Sequence, residues 1–104
     1  MATLKDIQAE IDKQLTRDYA NKPKDAVKPM CFLGLAEEAG EVAGLLKRVL
    51  RNFPRDKERI TREKFVEELG DVFWYLAACC SCCSISLDEI WEYNIQKLEE
   101  RYEK

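Results

Sequence analysis

The spacing of apolar positions along the chain divides it into four amphipathic helices. Leu4, Ile7, Ile11 and Leu15 recur at three- and four-residue steps behind Thr3, which predicts a capped first helix running to about Tyr19. Pro23, Pro29 and three lysines interrupt the pattern and predict a loop from Asn21 to Pro29. A second helix is expected from about Met30 to Arg51 or Asn52, with Leu35, Val42, Leu46, Val49 and Phe53 as its core-facing stripe. Pro54 and the charged run from Arg55 to Arg59 predict another connection. Thr61 is placed to cap a third helix reaching about Ser84, whose apolar face is Phe65, Leu69, Val72, Phe73 and Leu76. Ser86 and Glu89 read as a capping box for a fourth helix, which carries Ile90, Ile95, Leu98 and Tyr102 with Trp91 and Tyr93 alongside. The short link between helices three and four predicts an antiparallel pair. Nothing alternates like a strand, and there are no internal repeats. The expected fold is all-α with four helices.

Size and charge narrow the picture. A chain of 104 residues suits one domain, residues 1–104, with a single core. Hydrophobic residues at 46% and charged ones at 36% fit helices with one buried face each. The net charge of −3 gives no bulk attraction to nucleic acid or an acidic membrane, so neither is expected as a partner. No N-terminal stretch resembles a signal peptide, and no apolar run approaches the roughly 20 residues that cross a bilayer. The expectation is a cytoplasmic protein. Four of the five cysteines crowd into Cys79-Cys80-Ser81-Cys82-Cys83, with Cys31 apart. They read as small buried hydrophobes in a reducing compartment. A thiolate metal site is the alternative, but no histidine and no second cluster complete a tetrahedron.

The chemistry concentrates in two acidic groups. Glu37, Glu38 and Glu41 stand as Glu-Glu-x-x-Glu in an otherwise small or apolar run, and Glu68 and Asp71 stand as Glu-x-x-Asp on the next helix. At about 100° per residue each group shares one side of its helix. The first group also has Gly34, Ala36, Gly40 and Gly44 beside or among it. Glycine costs a helix about 1 kcal/mol relative to alanine, so several of them imply close approach of a backbone or ligand. Either acidic group alone is consistent with a solvated face. If the helices pack antiparallel, five carboxylates converge, and partial desolvation makes that costly unless a divalent cation is present. Without histidine the di-iron pattern of helical bundles is excluded. Oxygen ligands select Mg²⁺, Mn²⁺ or Ca²⁺, and Mg²⁺ characteristically completes its shell with substrate phosphates. Hydrolysis of a polyphosphate is the reaction class implied.

These two motifs, in this order and at this spacing, resemble the MazG-like all-α nucleoside triphosphate pyrophosphohydrolases. The contexts Leu35-Ala-Glu-Glu-Ala-Gly-Glu-Val42 and Glu67-Glu-Leu-Gly-Asp-Val72 are similar to the family's, as is Asn94-x-x-Lys97-Leu-x-x-Arg101-Tyr102 in the last helix. The resemblance implies a four-helix MazG-like bundle completed by oligomerisation as a homodimer or homotetramer, with the site near a subunit interface. It implies cleavage of nucleoside triphosphates to monophosphate and pyrophosphate with Mg²⁺, or with Mn²⁺ as substitute. By the same analogy Glu37, Glu38, Glu41, Glu68 and Asp71 hold metal, and Glu38 orients or deprotonates the attacking water. Lys47, Asn94, Lys97 and Arg101 become candidate phosphate contacts, with a solvated surface as their alternative. Lys47 and Arg48 equally suit a helix C-terminus. Tyr75, one turn beyond Asp71, is placed to stack on a base or to pack. Trp74 and Trp91 read as packing residues. Two other functions stay open: a non-catalytic helical interaction module, and a related hydrolase acting on diphosphate, dUTP-like or alarmone substrates. A metal-binding regulator built on the cysteines is a further alternative.

Overall fold

The first helix, α1 (Leu4–Asp18), begins where Thr3 leaves extended backbone and closes a reciprocal cap. The Asp6 amide donates to Thr3 Oγ1 at 3.1 Å and the Thr3 amide donates to Asp6 Oδ2 at 3.0 Å. Next come α2 (Lys24–Asn52), α3 (Arg62–Cys82) and α4 (Leu87–Tyr102). This computed structural model describes residues 1–52 and 61–102, and no strand occurs among them. Phe53, Pro54 and the run Arg55–Arg59 lie outside the described residues.

The Asn21–Pro29 loop is shorter than expected. The helix already starts at Lys24, with Pro29 inside it. Proline forfeits one backbone hydrogen bond there. Tertiary packing offsets the loss, because Val27 packs on the core and Cys31 is fully buried.

Antiparallel packing of α2 on α3 follows from which residues meet. The Sγ atoms of Cys31 and Cys82 lie 3.8 Å apart. Gly34 lies against the ring of Tyr75, and Glu38 meets Glu68 and Asp71. As numbers rise along α2 they fall along α3. Two corrections apply to the stripes. On α2 Leu45 is buried and Leu46 exposed, the reverse of the expected assignment. On α3 Leu69 and Phe73 are exposed.

The core collects at the far end of this pair. It is built from Ile11 and Leu15 of α1, Cys31 of α2, Ala77, Ala78, Cys79 and Cys80 of α3, and Leu87 of α4. Cysteine and alanine are short enough to let the backbones approach. Burial of Ile11 and Leu15 stabilises by about 1.5–3 kcal/mol each. The cysteine cluster is therefore core, with Cys82 and Cys83 half-buried at its edge.

The expected antiparallel pairing of α3 with α4 does not occur. Their axes differ by 102°, and α4 rests on α1. The cause is local. The Ile85 amide donates to the Cys80 carbonyl at 2.9 Å and the Ser84 amide to the Ser81 carbonyl at 3.1 Å. This is a Schellman end, with Ser84 at φ 56° where glycine is usual. Ser86 then starts α4 at once by accepting from the Glu89 amide at 3.0 Å. Gln8 of α1 locks the corner, donating to the Ile85 carbonyl at 2.8 Å and accepting from the Leu87 amide at 2.9 Å. Among the described residues no single helix is long and apolar enough to cross a membrane.

Candidate metal centre

Antiparallel packing of α2 on α3 brings the two acidic groups of the sequence face to face. Ligand oxygens of Glu37, Glu38 and Glu41 lie within 4.8 Å of one another, as do those of Glu38, Glu68 and Asp71. Glu38 belongs to both groups. The five acids singled out in the sequence are thus brought to one place.

Their environments differ. Glu37, Glu41 and Asp71 are exposed and Glu38 is half-buried, whereas Glu68 is only 6% exposed. Lys64, one turn earlier on α3, places Nζ 3.1 Å from Glu68 Oε1. Among the described residues, Glu68 Oε2 and Glu38 Oε2 are both buried without a hydrogen-bond partner. Buried polar atoms are almost always paired, so two orphaned carboxylate oxygens side by side call for a cation. The carboxyl of Glu38 is held above its ordinary range, first by loss of surrounding water and then by the charges of Glu41, Asp71, Glu37 and Glu68. An oxygen-only donor set with two inward-facing unpaired atoms fits a hard divalent cation.

A cleft of about 460 Å³ opens beside the acids. Glu41 and Glu68 lie in its wall together with Lys47, Arg48, Arg51 and Lys64. The structure therefore puts Lys47 next to the acids. It also adds Arg48 and Arg51, and sets Lys64, which helical spacing puts on the same side of α3 as Glu68 and Asp71, in the same wall. Spacing held the signal, since Lys64 is four residues before Glu68 and Arg51 four after Lys47.

On the other side, the Tyr75 ring covers Gly34, so a side chain comes close there, and not the backbone or ligand that the glycines predict. Gly40 and Gly44 face open space. Tyr75 is half-buried and edge-on to Trp74, with ring centroids 5.1 Å apart. Trp74 Nε1 donates to Gln14 Oε1 at 2.7 Å, which makes it a packing residue. The α4 residues are placed differently. Asn94 lines a separate groove of about 360 Å³ with Phe73, Leu76 and Trp91, while Lys97 and Arg101 are exposed. No α4 residue lies in the wall of the acidic cleft of its own chain.

Comparison with known proteins adds a pattern of likeness. The profile of the MazG nucleotide pyrophosphohydrolase domain matches residues 30–104, a span holding every acid above. Gene 37 protein of Mycobacterium phage L5 is 33% identical over 82 residues, covering 77% of this chain and 72% of that protein. Uncharacterized protein YvdC of Bacillus subtilis (strain 168) is 29% identical, covering 91% and 95% respectively. Uncharacterized protein YpjD from the same strain is 30% identical, covering 95% and 86%. No solved structure matches the chain.

Proposed function

The chain belongs to the MazG nucleotide pyrophosphohydrolase domain family, and from that premise we propose that it hydrolyses nucleoside triphosphates to nucleoside monophosphate and pyrophosphate with Mg²⁺. The observation that carries the reading is the pair of orphaned buried oxygens on Glu38 and Glu68, one from each helix. Glu37, Glu38, Glu41, Glu68 and Asp71 would hold the metal. When bound, Mg²⁺ (or Mn²⁺) supplies polarisation of the phosphoryl oxygens and screening of their charge. Glu38 orients the attacking water and takes its proton, as water adds across the α–β anhydride and pyrophosphate departs with the bonding electron pair. Lys47 meets phosphate oxygens from the cleft, and Tyr75 stacks on the base.

The same reading takes the chain as one catalytic unit, residues 1–104, that acts in the cytoplasm as a homodimer or homotetramer. Its Cα radius of gyration is 17.1 Å, against about 13 Å for a compact chain of this length. Its 8548 Å² of accessible surface likewise exceeds the roughly 6000 Å² of a compact monomer. Leu33 is 72% exposed and Leu50 75%, so α2 keeps apolar surface for a second copy. Asn94, Lys97 and Arg101, absent from the acidic cleft of their own chain, would reach that of a partner.

A panel of canonical and modified triphosphates with Mg²⁺, scored for pyrophosphate release, tests the reading. Loss of general-base catalysis in Glu38→Gln should lower the rate by about 10²–10⁴-fold. Equal rates would remove Glu38 from that role. Release of orthophosphate instead of pyrophosphate would point to a diphosphate-cleaving relative, and inactivity across the panel would leave an interaction module.

A further inference from the structure

Along the seam between α2 and α3 the side chains are sorted by chemistry. From the C-terminal end of α2, Arg51 and Arg48 come first, with Lys64 across from them. The carboxylates of Glu41, Glu38, Glu68 and Asp71 follow, and the Tyr75 ring over Gly34 comes last. Arg48 stands on the same stripe of α2 as Glu41, two turns or about 10 Å further on, and Arg51 lies nearly one turn beyond it. A helix dipole accounts for cations in a last turn. It does not account for their walling, with a lysine from the neighbouring helix, a concave cleft that also holds Glu41 and Glu68.

Five clustered carboxylates repel a polyphosphate, and one divalent ion offsets only part of that. Two guanidinium groups beside the same cavity supply the rest, since their planar forks match phosphate oxygens. We propose that this cleft is the subsite for the two phosphates that leave as pyrophosphate. Arg48 and Arg51 are their ligands, and Lys64 joins them once a cation takes its place beside Glu68. The substrate then lies along the seam with its nucleoside toward Tyr75. The proposal rests on the triphosphate reading above and adds the direction in which the substrate lies.

Binding of inorganic pyrophosphate, and separately of a nucleoside monophosphate, is measured calorimetrically with Mg²⁺ for wild type and for Arg48→Gln/Arg51→Gln. Binding of Mn²⁺ alone and the circular dichroism of both proteins control for an intact acid cluster and fold. Loss of charge-assisted bonds should weaken pyrophosphate binding about tenfold or more, with Mn²⁺ affinity and monophosphate affinity unchanged. Pyrophosphate affinity within twofold of wild type, or no binding by wild type, overturns the subsite. Equal weakening of monophosphate overturns the orientation. Should wild type hydrolyse no triphosphate yet bind pyrophosphate through these arginines, the catalytic reading fails and the anion site stands. Hydrolysis with unchanged pyrophosphate affinity gives the converse.

Discussion

Replacing Glu68 with methionine should make the metal-free protein more stable and at the same time blind to Mg²⁺. Glu68 is 6% exposed, and its Oε2 is buried with no partner among the described residues. An unsatisfied buried polar group costs about 1–3 kcal/mol, and more for a charged one. The partner on Oε1, Lys64, has a side chain 43% exposed, so its ammonium returns to water when the carboxylate is gone. Buried ion pairs replaced by apolar side chains of similar volume are often neutral or stabilising. A net gain of about 1–2 kcal/mol follows, which for a domain this size is a rise of roughly 4–8 °C in Tm per kcal/mol. Wild type should gain about 2.7 kcal/mol from Mg²⁺ at a hundred times its Kd, whereas Glu68→Met should gain little. Thermal melts of both proteins, with and without Mg²⁺, make the comparison, and Glu68→Gln tests charge at constant shape. A metal-free Glu68→Met that melts lower than wild type would refute the desolvation argument. One that keeps the full Mg²⁺ shift would remove Glu68 from the metal centre.

Other consequences follow from the same geometry. Glu38 binds its proton more tightly folded than unfolded, so stability is greatest below the unfolded carboxylate value and falls as pH rises through the raised one. Urea melts of metal-free protein across that window should show the decline, and Glu38→Gln should flatten it. Gly34→Ala drives a methyl into the Tyr75 ring, whose Cδ1 and Cζ would each lie 2.6 Å away. Overpacking of about 1–3 kcal/mol should outweigh the helix gain of about 1 kcal/mol, while Gly40→Ala, facing open space, should show the gain alone. Melts that rank the two variants the other way would mean the Tyr75 ring moves aside freely. The Cys31 thiol is pushed up to about 12, chiefly by burial and then by Cys82. It should react with iodoacetamide only at the rate of unfolding, read by mass spectrometry in increasing urea; fast labelling in native buffer would contradict its burial.

Helix periodicity and capping chemistry are local, and they placed α1, α3 and α4 within a residue or two. Acidic spacing, read with the resemblance it carries, singled out the five carboxylates that converge. Tertiary structure decided the rest. Pro29 lies inside a helix because Val27 and Cys31 reach the core, a benefit no local signal encodes. Short linkage predicted that α4 would fold back on α3, yet Ser84 in the left-handed region and Gln8 from α1 turn it aside. Leu45 and Leu46 are adjacent apolar residues, and only the position of α3 selects which one is buried. Likewise, four cations scattered over two helices acquire a common meaning only when antiparallel packing sets them around one cleft with Glu41 and Glu68. Sequence fixes what each helix face can offer to a neighbour; packing, by removing water from some faces and not others, determines which offers are taken up.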